Sequence, residues 1–320
     1  MSETCEDGCT EWGAGKRYFL CGHEEIIETN SDAIIPLNGH VFKARLLGMG
    51  AYGLIYKLSD LVVVKIPRRK IEDAEEEFAN EQKMFKILDR KSPYIIPCIY
   101  QTPSATFMLR AVRDLRDVIS SKIYSYVQRK TVRWMGQLCG GAAFMEKQGY
   151  AHGDLRPDNL LIDQNGNLRI HDLGSSLPVG NQLPVATEPF GRLLSKEEGK
   201  GRGYGLAGPY TENFAIGSIF YSLTRGHYPY AREEYDVPTL MKMFQRKEFP
   251  RLSDSTEDGI ISRCWNGEYG TVAELEQVFK DMEGGGEWYL FPAESEEWVA
   301  ERRRECERWA AAGGVDELIE

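Results

Sequence analysis

The chain has no long apolar run: its longest uninterrupted apolar stretches are short, as in Leu61-Val62-Val63-Val64. A membrane-spanning helix needs roughly 18 such residues, so none is expected. There is no excess of positive charge either. Lys and Arg number 39 against 49 Asp and Glu, a net charge of -10. That balance argues against non-specific binding to nucleic acid or to an anionic membrane surface. The first residues, MSETCEDGCTEW, are acidic and polar and lack an apolar core, so no secretory signal is expected. Cysteine is scarce and odd in number, seven in 320 residues, with no paired C-x-x-C knuckle. This excludes a disulfide framework and points to an intracellular, reducing compartment, cytoplasmic or nuclear. Cys5, Cys9, Cys21 and His23 lie near one another but read as free thiols in a leader rather than a zinc set.

What remains is an ordinary globular composition, 42% hydrophobic and 28% charged, in a chain long enough for two modest lobes. Residues 1–38 form an acidic leader with weak periodicity and room for one short strand around Ala33 to Pro36. Residues 39–112 read as a strand-rich first lobe, with strands at Phe42 to Leu47, Leu54 to Leu58, Leu61 to Ile66, Ile95 to Tyr100 and Thr106 to Val112. One amphipathic helix, Glu72 to Leu88, interrupts them through Phe78, Met84, Phe85 and Leu88. Residues 113–283 turn helical, with helices near Asp114 to Ser120, Thr131 to Gln148, Glu212 to Arg225, Thr239 to Arg246, Thr256 to Cys264 and Thr271 to Met282. Gly284-Gly285-Gly286 opens a linker, and Ser295 to Ala312 reads as a terminal helix. Trp298, Cys306 and Trp309 recur on it at helical spacing and are expected to dock on the domain itself.

One stretch speaks about chemistry more than any other, HGDLRPDNLLIDQNGNLRIHDLG at residues 152–174. An Asp, an Asn five residues later and a second Asp after a hairpin are the parts of a phosphoryl-transfer site. One carboxylate, Asp154, steers an attacking hydroxyl, while Asn159 and Asp172 hold magnesium on the nucleotide phosphates. Upstream, Gly48, Gly50 and Gly53 fit G-x-G-x-x-G between two strands, where the backbone bends tightly and brings N–H groups onto phosphates. A dinucleotide fold would want a helix directly after the last glycine, and LIYKLSD is strand-like instead. Lys65 sits on an apolar strand, Val62-Val63-Val64-Lys65, and needs a counter-charge if buried. Glu75, Glu76, Glu77 and Glu81 are all within reach by sequence.

Taken in order, these elements resemble the protein kinase superfamily over about residues 42 to 280. The resemblance implies an α+β, bilobal fold, with a strand-rich N-lobe carrying one main helix and a mostly helical C-lobe. It selects Glu81 as the partner of Lys65 and makes Arg156 a contact to the transferring phosphate, as in Ser/Thr rather than Tyr kinases. His152 would buttress the loop. ATP would lie between the lobes, with its phosphates under Gly48, Gly50 and Gly53 and its adenine against Met108 to Val112; Ile55, Lys65, Met108, Arg110 and Val112 complete the expected ATP-binding residues. The expected cofactors are ATP and Mg2+ and the expected partner is a protein substrate; no nucleic acid or membrane is expected, and nothing bears on oligomeric state.

Departures from the family pattern are as informative. Gly153 replaces the Arg that clamps a phosphorylated activation segment in many kinases. The A-P-E triplet is absent, and CWNGEYGTVAEL holds no Arg where that Glu's partner is expected. Glu212 stands for the Asp that opens the D-x-W-x-x-G helix, with Phe214 and Gly217 matching. These features resemble a divergent fungal-type branch. The expected function is transfer of a γ-phosphate to a protein Ser/Thr hydroxyl. The alternatives are a nucleotide-binding pseudokinase scaffold and a small-molecule phosphotransferase of related fold, the latter disfavoured by the short Arg113 to His152 interval.

Overall fold

A computed structural model describes residues 32–37, 40–121, 124–195, 198, 203–233, 235–282 and 293–311. The leader cysteines and the Gly284–Gly286 linker lie outside the described residues. The N-terminal sheet comprises β1 (Asp32–Leu37), β2 (His40–Met49), β3 (Gly53–Lys57), β4 (Val62–Pro67), β5 (Cys98–Thr102) and β6 (Ala105–Leu109). Their spatial order is β1-β2-β3-β4-β6-β5, every pairing antiparallel. Alternation along β4 divides its side chains. Val62, Val64 and Ile66 join one apolar cluster on the outer face, while Val63 belongs to the main core and Lys65 faces the cleft.

Helix α1 (Ala74–Leu88) packs beneath this sheet through Phe78, Met84, Phe85 and Leu88. Its first turn carries Glu75, Glu76 and Glu77, favourable at the positive end of the helix dipole. It stops at Asp89 and Arg90, both with positive φ, 45° and 53°. The strand expected from Ile95 begins only at Cys98. Pro97 lacks an N–H for the ladder, and residues 94–96 bond instead to the C-lobe hairpin: Ile96 N–H donates to Ile170 O (2.8 Å) and Ile170 N–H to Tyr94 O (2.8 Å). This segment therefore stitches the lobes together.

Two-residue β7 (Arg113–Asp114) leads into α2 (Leu115–Ser120), capped by Asp114, whose carboxylate accepts from Asp117 N–H at 2.8 Å. Helix α3 (Tyr124–Lys147) starts seven residues before the expected Thr131 and buries Trp134, Leu138, Cys139, Ala142 and Met145. Short strands β8 (Tyr150–Ala151), β9 (Leu160–Ile162), β10 (Leu168–Ile170) and β11 (Leu177–Pro178) frame the catalytic stretch; β10 and β9 form its hairpin. Helix α4 (Pro209–Arg225) is buried almost all round and forms the C-lobe centre, with Phe214, Ala215, Ile216, Ile219, Phe220 and Leu223 spread around its circumference. Around it lie α5 (Val237–Gln245), α6 (Thr256–Asn266) and α7 (Val272–Met282). Trp265 of α6 donates its indole N–H to Ser218 Oγ at 2.9 Å.

Helix α8 (Glu296–Ala311) returns to the N-lobe. Cys306 and Trp309 are buried there against Val62, Val64, Ile66, Ile99 and Phe107, on the sheet face turned away from the cleft. The tryptophans thus dock on the domain's own surface. None of the described helices is long and apolar enough to cross a membrane.

Candidate active site

Lys65 Nζ lies 2.9 Å from Glu81 Oε1 and 2.7 Å from Asp172 Oδ1. Burial alone would lower the pKa of this ammonium, but Asp172 and Glu81 outweigh it and hold it well above the usual lysine range. The same contact works in reverse on Asp172. Burial would raise its carboxyl, yet Lys65 and the His171 side chain bring it far below the ordinary value. Glu81 is raised by its own burial. Of the four candidate glutamates, register selects Glu81: it is 1% exposed, Glu75 and Glu76 face solvent, and Glu77 is half-buried. Asp172 adopts φ 60°, ψ 64°, a left-handed conformation uncommon for a non-glycine residue, though less so for Asp than for most.

The catalytic loop is held from below. Glu212, buried on α4, accepts the N–H groups of His152 (3.0 Å) and Gly153 (3.2 Å), so a carboxylate one methylene longer than the family's Asp reaches the same loop backbone. His152 is fully buried; its Nδ1 accepts from Asp154 N–H (3.2 Å) and its Nε2 donates to His171 O (2.9 Å). Asp154 Oδ2 receives Asn159 Nδ2 (2.8 Å) and Arg156 Nε (3.1 Å). Its pKa is raised by burial, against the pull of Arg156. Asn159 gives its amide nitrogen also to Asp154 O (2.8 Å), leaving its carbonyl oxygen as the acceptor. An amide oxygen and a carboxylate are the hard oxygen donors that magnesium prefers, so the residues present fit that ion.

Above the cleft, β2 and β3 close the glycine-rich hairpin through Gly50 N–H to Gly53 O at 2.8 Å. Gly53 is the tightest of the three, since a Cβ there would lie 2.8 Å from Lys65 Cε and displace that side chain; at Gly50 it would make ordinary contact with Gly53 O at 3.7 Å, and at Gly48 it would meet open space. Ile55 packs against the main core beside this loop. The three hinge-side residues named from sequence differ in placement. Met108 is buried within β6, Arg110 turns toward Asp60 O (3.3 Å), and Val112 is 54% exposed. The N–H groups of Arg110 and Val112 are committed to Leu61 O and Ile162 O, both at 2.8 Å.

Other residues in the site, apart from Glu77, were not singled out from the sequence. Asn80 donates to Gly174 O (2.6 Å) and Ser176 O (2.8 Å), locking α1 onto the turn after Asp172. Glu77 crowds Gly174, where a Cβ would lie 2.6 Å from its Oε2. Arg68 donates to Gly50 O (3.0 Å) and Ala51 O (3.2 Å), tying down the glycine loop. Arg116 gathers Asp158 (2.8 Å) and Asp114 (3.2 Å) beside the catalytic loop. Adjacency to a motif was the only available hint for any of them.

Residues 42–268 match the protein kinase domain family. The chain belongs to the protein kinase family. It is similar to CBL-interacting serine/threonine-protein kinase 8 of Arabidopsis thaliana, with 30% identity over 162 residues, covering 49% of this chain and 34% of that protein. It is 25% identical over 262 residues to CBL-interacting protein kinase 5 of Oryza sativa subsp. japonica, covering 68% of this chain and 50% of the relative. Similarity to testis-specific serine/threonine-protein kinase 4 of Homo sapiens is 24% over 237 residues, 63% of this chain and 69% of that protein. The chain thus spans a third to a half of the length of the plant relatives it matches.

Proposed function

We propose that the chain transfers the γ-phosphate of Mg-ATP to a serine or threonine hydroxyl of a protein. The observation that carries this reading is the three-way contact of Lys65 with Glu81 and Asp172, 2.9 and 2.7 Å, which joins the N-lobe sheet, α1 and the metal-side turn in one charge network. Such a network positions nucleotide phosphates, and positioning with charge stabilisation is most of what phosphoryl transfer asks of a protein. Lys65 orients the phosphates beneath Gly48, Gly50 and Gly53. The adenine ring lies against Ile55 and Met108, and its hinge donor falls to Ala111, because the N–H groups of Arg110 and Val112 are already used.

Asn159 and Asp172 would hold magnesium, which would supply positive charge to offset that of the phosphates. Asp154, oriented by Asn159 and Arg156, accepts a hydrogen bond from the acceptor hydroxyl and aligns it for in-line attack. Arg156 stands ready to follow the charge on the transferring group. The likeness to serine/threonine kinases supports the choice of acceptor. Replacing Asp154 by Asn tests the assignment: transfer is expected to fall at least about 100-fold with nucleotide affinity preserved. Near-normal turnover by that variant contradicts it.

A further inference from the structure

We propose that Arg192, Glu198 and Lys247 form a permanent charge anchor that positions the acceptor-side segment beside Asp154, with no phosphate required. This rests on the kinase reading above. The sequence removes the usual means of holding that segment: Gly153 offers no guanidinium to a phosphorylated residue, and the A-P-E glutamate and its Arg partner are both missing from their expected places. The structure contains a glutamate in the segment nonetheless, held by an arginine and a backbone N–H of the same segment and by a lysine from just beyond α5. Glu198 receives Arg192 through both terminal nitrogens, at 2.7 and 2.5 Å, together with Lys247 Nζ at 2.9 Å and Ser195 N–H at 3.1 Å.

The burial of these groups sets the cluster apart from a surface ion pair. The side chain of Arg192 is 2% exposed and that of Glu198 19%. An exposed pair contributes little, whereas removing one partner from a buried, bidentate pair strands the other charge. The guanidinium also lies over the rings of Tyr210 (5.6 Å) and Phe214 (5.8 Å), and it donates to the Tyr210 hydroxyl. Lys247 holds φ 59°, a left-handed conformation disfavoured for lysine, just beyond α5. Gln245 adds a second tie, donating to Leu194 O at 3.1 Å. The segment is thereby fastened to both α4 and α5.

Its path to the chemistry is short. Arg192, Phe190 and Gly191 share with Asp154 and Leu155 the wall of a cavity of about 20 Å³. That is room for about one water molecule, so the segment packs almost directly on the catalytic loop. Four donated hydrogen bonds hold the Glu198 carboxylate in a fixed place, the part a phosphate plays when it orders a loop through arginine. Arg192 and Glu198 are positioning residues: they touch no reacting atom.

The test compares full-length wild type with Glu198→Gln and the conservative Arg192→Lys. Three quantities are read: ADP formation from Mg-ATP without acceptor, phosphorylation of a degenerate Ser/Thr peptide library, and amide exchange across residues 187–198. Glu198→Gln is expected to raise the library KM at least tenfold and speed exchange at least tenfold, with basal ADP formation within twofold of wild type. Arg192→Lys, which keeps the charge but loses the fork, is expected between the two. Phosphatase treatment of wild type is expected to leave its library activity unchanged. Wild-type KM and exchange in Glu198→Gln would overturn the anchor, as would a tenfold loss on phosphatase treatment. If wild type forms no ADP, the kinase reading fails while the exchange comparison still decides the anchor.

Discussion

Lys65 bears more of the site than any other single residue, because one ammonium bonds to carboxylate oxygens from two different elements, Glu81 Oε1 and Asp172 Oδ1. Lys65→Ala is expected to lower nucleotide affinity and transfer together. Stranding buried Glu81 is also expected to cost about 3 kcal/mol of stability, readable as a fall in unfolding midpoint; unchanged affinity and midpoint would leave Lys65 without that role. Gly153 is constrained in a different way. Its φ is 80° and a Cβ there would lie 2.6 Å from Ser175 O, so Gly153→Arg cannot simply restore a phosphate clamp. That variant is expected to lose at least about 1 kcal/mol of stability, measured by denaturant unfolding. Asp114 offers a pH test. Burial raises its carboxyl to about 6 from an ordinary 3.8, against the Asp117 N–H and Arg116. The folded state therefore holds a proton that the unfolded chain has released between about pH 4 and pH 6, and stability attributable to this group falls as pH rises through that window. Asp114→Asn, which can still cap α2, is expected to gain in unfolding midpoint relative to wild type from pH 4 to pH 6.5; a constant difference would refute the sign. Much of this was legible beforehand, since Lys65, Asp154, Asn159 and Asp172 each sit in a spaced motif. Asn80 and Arg68 were not, because their partners are backbone atoms that only the folded geometry brings near.

At the scale of elements, pattern and punctuation foretold most of what forms. Alternation marked β3 and β4, and the apolar run marked α4. What escaped followed from contacts beyond the local sequence. Helix α3 extends back to Tyr124 through YSYVQRK, which has no capping residue to announce a start and no strong apolar stripe. Residues 94–96 bond to β10 across the lobes rather than pairing in the sheet. The docking place of α8 was equally hidden, since its spacing of Trp298, Cys306 and Trp309 identified an apolar face but not the surface beneath it. That surface is the outer side of the strand bearing Lys65, where Trp309 is 6% exposed and Cys306 fully buried. Trp309→Ala is expected to destabilise the protein by about 3–5 kcal/mol, lowering the unfolding midpoint by about 2–4 °C per kcal/mol. A midpoint unchanged by the substitution would mean that α8 is an ornament rather than part of the lobe.

For the whole molecule, the recurring theme is attachment across the cleft. Lys65 reaches Asp172, Asn80 reaches Gly174 and Ser176, and residues 94–96 pair with Ile170. On the far side, Glu294 grips buried Arg169 at 2.5 and 3.3 Å, so the segment leading into α8 is tied to the hairpin between Asn159 and Asp172. These ties hold the Lys65 and Asp172 side chains and the loop bearing Asp154 in one frame, as the proposed transfer by positioning requires. The measurement that bears most directly on this account is ADP formation from Mg-ATP by purified protein, set against Asp172→Asn shown to be folded. Slow hydrolysis needs no known acceptor, so it isolates the phosphotransfer machinery. The account predicts magnesium-dependent turnover in wild type that the variant lacks by about 100-fold or more. Equal rates in the two folded proteins would contradict it.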